Sequence, residues 1–171
     1  MARPLRIEFP GAYYHVTSRG NERKAIFRED ADRGKSLEVL SSSAEQFRVR
    51  IHTYVLMDNH YHLLVETPDE GLSRAARYLN GVYTQYVNRR YRRVGYLLQG
   101  RYKAILIDKD SYLIERSRYI HLNPWRVTSG VKDPFHYRWS SLRVVRVYHR
   151  ILQVSVGNTQ GRIVKIDLQR V

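Results

Sequence analysis

Hydrophobic and polar positions alternate with period two near the start of the chain. Tyr13, His15 and Thr17 take one side and Tyr14, Val16 and Ser18 the other, which predicts a first strand. The turn formers Ser18-Arg19-Gly20-Asn21-Glu22 end it. Over 30–47 the period lengthens, and Leu37, Leu40, Ala44 and Phe47 share one face of a helix. Residues 49–57 are β-rich, Met57-Asp58-Asn59 makes a tight turn, and 60–66 returns as a second strand of a hairpin. Pro68-Asp69-Glu70-Gly71 closes that hairpin. Leu72, Ala75, Ala76, Leu79, Tyr83, Tyr86 and Val87 then recur at helical spacing, giving a second helix to about Arg90. Residues 102–107 read as a fourth strand. Asp110 suits the N-cap of a third helix, which Pro124 is expected to terminate.

The order β-α-β-β-α-β followed by a helix matches the ferredoxin-like split βαβ arrangement. The expectation is an α+β fold, an antiparallel sheet with helices on one face. Past Trp139-Ser140-Ser141 the character changes: 142–171 carries six basic residues and one acid among alternating Val, Ile and Leu. There 151–156 and 162–168 flank Gly157-Asn158-Thr159-Gln160-Gly161, a pattern that suits a β-hairpin and equally a poorly folded tail. The division expected is a core over 1–141 and a basic C-terminal extension over 142–171.

Composition narrows the partner. The chain has 171 residues, 43% of them hydrophobic, enough to bury a core. Lys and Arg number 30 against 16 Asp and Glu, a net charge of +14. With 14 tyrosines beside that excess, a polyanion, nucleic acid above all, is the expected partner rather than a merely basic surface. Cysteine is absent, which excludes disulfides, thiolate zinc sites and cysteine nucleophiles. No stretch reaches the roughly twenty apolar residues of a membrane span. The opening MARPLRIEFPG lacks the apolar core of a signal peptide. The expected setting is cytoplasmic, with no membrane partner.

Two places carry candidate chemistry. His60 and His62 are i and i+2 on a strand, so both imidazoles project from one face and can take adjacent positions around a divalent ion. On this spacing alone, two hydrogen-bonded histidines without a metal explain the motif as well. In Arg118-Tyr119-Ile120-His121-Leu122-Asn123-Pro124, Tyr119 and Asn123 are i and i+4, neighbours on one helical face. The Asn123 amide oxygen suits a third, hard ligand, and Tyr119 one turn away suits a nucleophile toward a phosphodiester, with Arg118 a nearby cation. Arg89, Arg90, Arg92, Arg93, Arg101 and Lys103 form a basic run without an intervening acid. They are expected to track a nucleic-acid backbone, with Tyr91, Tyr96 and Tyr102 available for base stacking and Arg19 a further contact.

Taken in order, Tyr14-His15-Val16-Thr17-Ser18-Arg19-Gly20-Asn21, then 54–65 around Asn59-His60-Tyr61-His62, Gln99-Gly100-Arg101-Tyr102-Lys103, Ser117 to Pro124, and Tyr137-Arg138-Trp139-Ser140-Ser141 resemble the REP-associated tyrosine transposases. These are single-tyrosine HUH transposases, and the resemblance covers roughly 3–142. Two departures are visible: Trp125-Arg126-Val127-Thr128-Ser129-Gly130-Val131 replaces the family's Val-Arg-Ala-Gly-Leu-Val after Asn-Pro, and Leu98 replaces its Phe.

The resemblance implies a ferredoxin-like catalytic domain over 1–141 that cuts and rejoins single-stranded DNA through a 5′-phosphotyrosine. In it His60, His62 and Asn123 would hold Mg²⁺ or Mn²⁺ and Tyr119 would be the nucleophile. It also implies REP-like hairpin DNA as substrate and a monomer or homodimer. A non-catalytic protein that binds structured DNA, derived from a transposase, is the alternative. An RNA-binding module on the same scaffold would carry aromatic RNP motifs, and the sequence has none.

Overall fold

The computed structural model describes residues 8–108, 112–127 and 133–142. The chain runs β1 (Ala12–Arg19), α1 (Asp30–Gln46), β2 (Arg50–Met57), β3 (His60–Thr67), α2 (Leu72–Arg90), β4 (Lys103–Ile107) and α3 (Leu113–Val127). The four strands form one sheet in the order β2-β3-β1-β4, every pair antiparallel. This is the expected split βαβ arrangement. Asp110 and 143–171, and with them the cap and the C-terminal hairpin, lie outside the described residues.

Strand alternation builds two cores. Tyr14 and Val16 of β1, Tyr54 and Leu56 of β2, and Tyr61, Leu63 and Val65 of β3 face α1 and α2, meeting Leu40, Ala75, Ala76 and Leu79. The interleaved residues Tyr13, Val55, Met57, Leu64 and Ile107 face the other way and meet Leu113 and Ile120 of α3. The third helix therefore packs on the face opposite α1 and α2, so the helices cover both sides of the sheet.

Buried polar groups fix how the elements join. The Asp32 carboxylate, fully buried, accepts from the N–H groups of Arg28 and Glu29 at 2.9 and 3.1 Å, the capping box of α1. It also accepts from the Tyr91 hydroxyl at 2.7 Å, which ties the start of α1 to the end of α2. Past α3, Leu56 N–H donates to the Trp139 carbonyl at 2.9 Å and Ser141 N–H to the Tyr54 carbonyl at 3.1 Å. Residues 139–141 thereby line the outer edge of β2, whose donors and acceptors would otherwise lack partners.

Pro124 does not end the third helix, which continues to Val127 with the proline inside it. The ring lacks the N–H that would bond the Ile120 carbonyl, but its side chain is among the most deeply buried in the chain. Burial of that apolar ring works against the cost of the lost hydrogen bond.

Candidate functional site

β1 and β3 bring three histidines onto the α3 face of the sheet. Thr17 pairs with His62 and Arg19 with His60, so His15, two residues along β1, is the diagonal neighbour of His62. His15, His60 and His62 are 4%, 7% and 9% exposed. His15 Nε2 lies 2.8 Å from His62 Nδ1, with the rings stacked at 5.0 Å. The His60 and His62 rings stand edge to face, also at 5.0 Å.

The loop before β3 orients His60. Asn59 Nδ2 donates to the Arg23 carbonyl at 2.9 Å, which leaves Asn59 Oδ1 as the acceptor for His60 Nδ1–H at 2.6 Å. His60 is thereby held as the tautomer whose Nε2 carries a free lone pair. The same junction is packed too closely for a side chain at Gly20, where a Cβ would run into the Lys24 carbonyl and the Ile26 side chain. Gly20 N–H donates to the Asn59 carbonyl at 2.8 Å, locking the end of β1 to this loop.

α3 lies over the histidines and supplies the other two predicted residues. The Tyr119 ring sits edge-on to His15 at 5.9 Å and to His62 at 6.0 Å. Tyr119 is 37% exposed, reachable from solvent while its ring rests on buried imidazoles. One turn on, Asn123 is 4% exposed, and its Oδ1 is a buried acceptor without a hydrogen-bond partner. The Asn123 side chain is near enough to His60 to favour the protonated imidazole, although it makes no bond of ordinary geometry.

Electrostatics keep the imidazoles neutral at pH 7. Burial, then the charges of His15, His60 and Arg19, lower the pKa of His62 to about 3. Burial and Arg116 lower that of His15 to about 4. Burial and Arg19 lower that of His60, opposed by Asn123 and Asp58. Neutral imidazole is the form that ligates metal. The residues present fit a divalent ion: two presented imidazoles and one orphaned buried amide oxygen. Among the described residues no group of three or more His, Cys, Asp or Glu is arranged to hold a metal.

The predicted cationic residues divide. Arg19 is exposed, lies on the histidine face by strand alternation, and acts on His60 and His62. Lys103 pairs with Thr17 and shares that face. Arg89, Arg92, Arg101 and Lys103 are exposed and Arg93 half-buried, none in an ion pair among the described residues. Arg90 differs, since it donates to Glu29 at 2.7 Å and approaches Asp32 at 3.5 Å, so much of its charge is already matched. Of the expected stacking rings, Tyr96 is 84% exposed, whereas Tyr102 is buried and bonded to Ser73, and Tyr91 is held by Asp32. Tyr102 is a core residue, not a stacking platform.

Sequence reasoning missed His15 and Arg126. Period two on β1 puts His15 and Thr17 on one polar side, but only the register with β3 shows that this side faces His62. Arg126 lies seven residues after Tyr119, two turns along the same helical face, with its guanidinium 5.9 Å above the Tyr119 ring. Arg118, the cation expected there, is turned about 100° away around the helix.

An α+β sheet, one face carrying clustered imidazoles under a tyrosine-bearing helix and a basic rim at the same end, defines a protein built to meet a polyanion. Residues 8–123 match the family model described as Transposase IS200 like, and the chain belongs to that family of transposases. Its fold is similar to that of a REP-associated tyrosine transposase solved with a REP hairpin bound, at a TM-score of 0.72 and 16% identity, covering 98% of this chain and 96% of that one. A candidate transposase of Deinococcus radiodurans R1 gives a TM-score of 0.47 at 16% identity, covering 70% and 94%. No curated protein matches the chain by sequence. Among the described residues no helix is long and apolar enough to cross a membrane.

Proposed function

We propose that this transposase cuts and rejoins single-stranded DNA next to a hairpin, with Tyr119 as the nucleophile. The observation that carries the reading is the Tyr119 ring resting against both His15 and His62, half open to solvent, with a cation above it. The Tyr119 oxygen attacks phosphorus, the phenolic proton passes to water, and the 3′-oxygen of the upstream strand leaves, taking a proton from water to become a hydroxyl. The downstream strand stays on the protein as a 5′-phosphotyrosine. Because the bond exchanged is phosphodiester for phosphodiester, a 3′-hydroxyl can reverse the step without a nucleotide cofactor.

His60, His62 and Asn123 would hold Mg²⁺ or Mn²⁺. Such an ion, when bound, supplies positive charge to a non-bridging phosphate oxygen. Imidazole with an amide oxygen suits Mn²⁺ better than the all-oxygen preference of Mg²⁺. Arg126 places a cation beside the Tyr119 ring, and Arg19 and Lys103 meet the phosphates entering beside the histidines. The comparison protein's REP hairpin supports structured DNA as the substrate class.

Mixing the protein with a labelled hairpin bearing a single-stranded flank, in Mn²⁺, tests this. A denaturant-resistant adduct is expected for the native protein and none for Tyr119→Phe, with equal DNA binding by both. Absence of any adduct from the native protein would leave a structured-DNA-binding role instead.

A further inference from the structure

We infer that His15 is a positioning residue for His62, accepting the His62 Nδ1–H and so fixing the tautomer that turns Nε2 toward the site. The inference rests on the reading of His60 and His62 as metal ligands and adds a residue to it. Three observations carry it. The nitrogen pair is 2.8 Å apart and buried, a distance at which one nitrogen must donate and the other accept. His60 shows the same arrangement, its Nδ1 held by Asn59 Oδ1, so both imidazoles would present Nε2 from a tied Nδ1. Among the described residues His15 has no other hydrogen-bond partner, so in this direction its own proton sits on the buried, unbonded Nδ1, and the His62 contact is the polar bond that holds its imidazole in this strand.

The alternative direction, His15 Nε2–H donating to His62 Nδ1, would place a proton on His62 Nε2 and close that nitrogen to a metal. A ligating imidazole almost always has its second nitrogen engaged, and loss of that partner commonly weakens metal binding 10- to 100-fold. His15 fills this place from a neighbouring strand. It also packs edge-on to Tyr119, so one ring sets the orientation of a ligand and borders the proposed nucleophile.

Mn²⁺ binding to the full chain, followed by the loss of free-ion EPR signal, separates the possibilities. His15→Leu keeps the apolar bulk and removes the acceptor. It is expected to weaken Mn²⁺ about 10- to 100-fold with hairpin affinity unchanged. His15→Gln keeps an acceptor near the Nε2 position and is expected to restore binding to within about 3-fold of native, a rescue that mere packing would not give. Native-like Mn²⁺ affinity in His15→Leu, with binding lost in His62→Ala, overturns the role of His15 alone. Mn²⁺ affinity unaltered in His62→Ala overturns the metal site itself and this role with it. Equal loss in His15→Leu and His15→Gln overturns the hydrogen bond as the cause. Should His15→Leu fail to fold, long-range ¹H–¹⁵N spectra of the native protein decide. His62 protonated at Nδ1 supports the inference, and His62 protonated at Nε2 refutes it.

Discussion

Each histidine of the pair has a different second partner, and this sets what its loss does. His60 is oriented by Asn59 within its own turn, His62 by His15 across the sheet. His60→Ala and His62→Ala are each expected to abolish Mn²⁺-dependent cleavage, a fall of at least about 100-fold in gel-resolved single-strand cutting. DNA affinity should change by less than about 3-fold, because it is spread over many cations. Unimpaired cleavage by the double variant in excess chelator would end the metal assignment. At this scale spacing made His60, His62, Tyr119 and Asn123 candidates, and the family resemblance gave them roles. The sequence hid His15, because diagonal contact between strands 47 residues apart depends on register, which a one-dimensional pattern does not contain.

Elements were legible wherever periodicity ran long. The expected strand at 60–66 and the helix from Leu72 to about Arg90 match β3 and α2 closely, because their apolar positions repeat without interruption. Pro124 misled, since the rule that proline stops helices weighs a lost hydrogen bond and not the burial of the ring. The packing of α1 was also obscure: Asp32, Arg33 and Ser36 are buried on it, so its inner face does not read as apolar. That polar face gives a second prediction. Asp32→Ala leaves the Arg28 and Glu29 amides and the Tyr91 hydroxyl without their acceptor and should cost about 3–5 kcal/mol in urea unfolding. A loss under about 1 kcal/mol would mean that Asp32 does not clamp α1 to α2.

Across the whole molecule, the charge of +14 is not evenly available. Arg90 is matched by Glu29 and Asp32, whereas Arg89, Arg92 and Arg101 are exposed without ion pairs among the described residues. Replacing those three by Gln should lower the slope of log affinity against log salt by about 2–3, since each phosphate contact contributes about 0.7–0.9. Arg90→Gln should instead lower the thermal midpoint and leave the slope nearly unchanged. Equal slope losses from both variants would show that composition, and not position, governs binding.

The division of the sheet into two unequal cores has a consequence for motion. α1 and α2 share the larger core, while α3 rests on the smaller one through Leu113, Ile120 and a few polar bonds such as Thr53 to Ser117 and His121 to Ser141. Such an element opens by itself more readily than the body beneath it. Amide hydrogens of α3 should therefore exchange well before those of β1 and β3, and hairpin DNA bound at the site should slow them. If α3 lifts as one element, Tyr119 and Asn123 would leave the histidines together and return together, and the helix would then act as a single latch on the proposed centre.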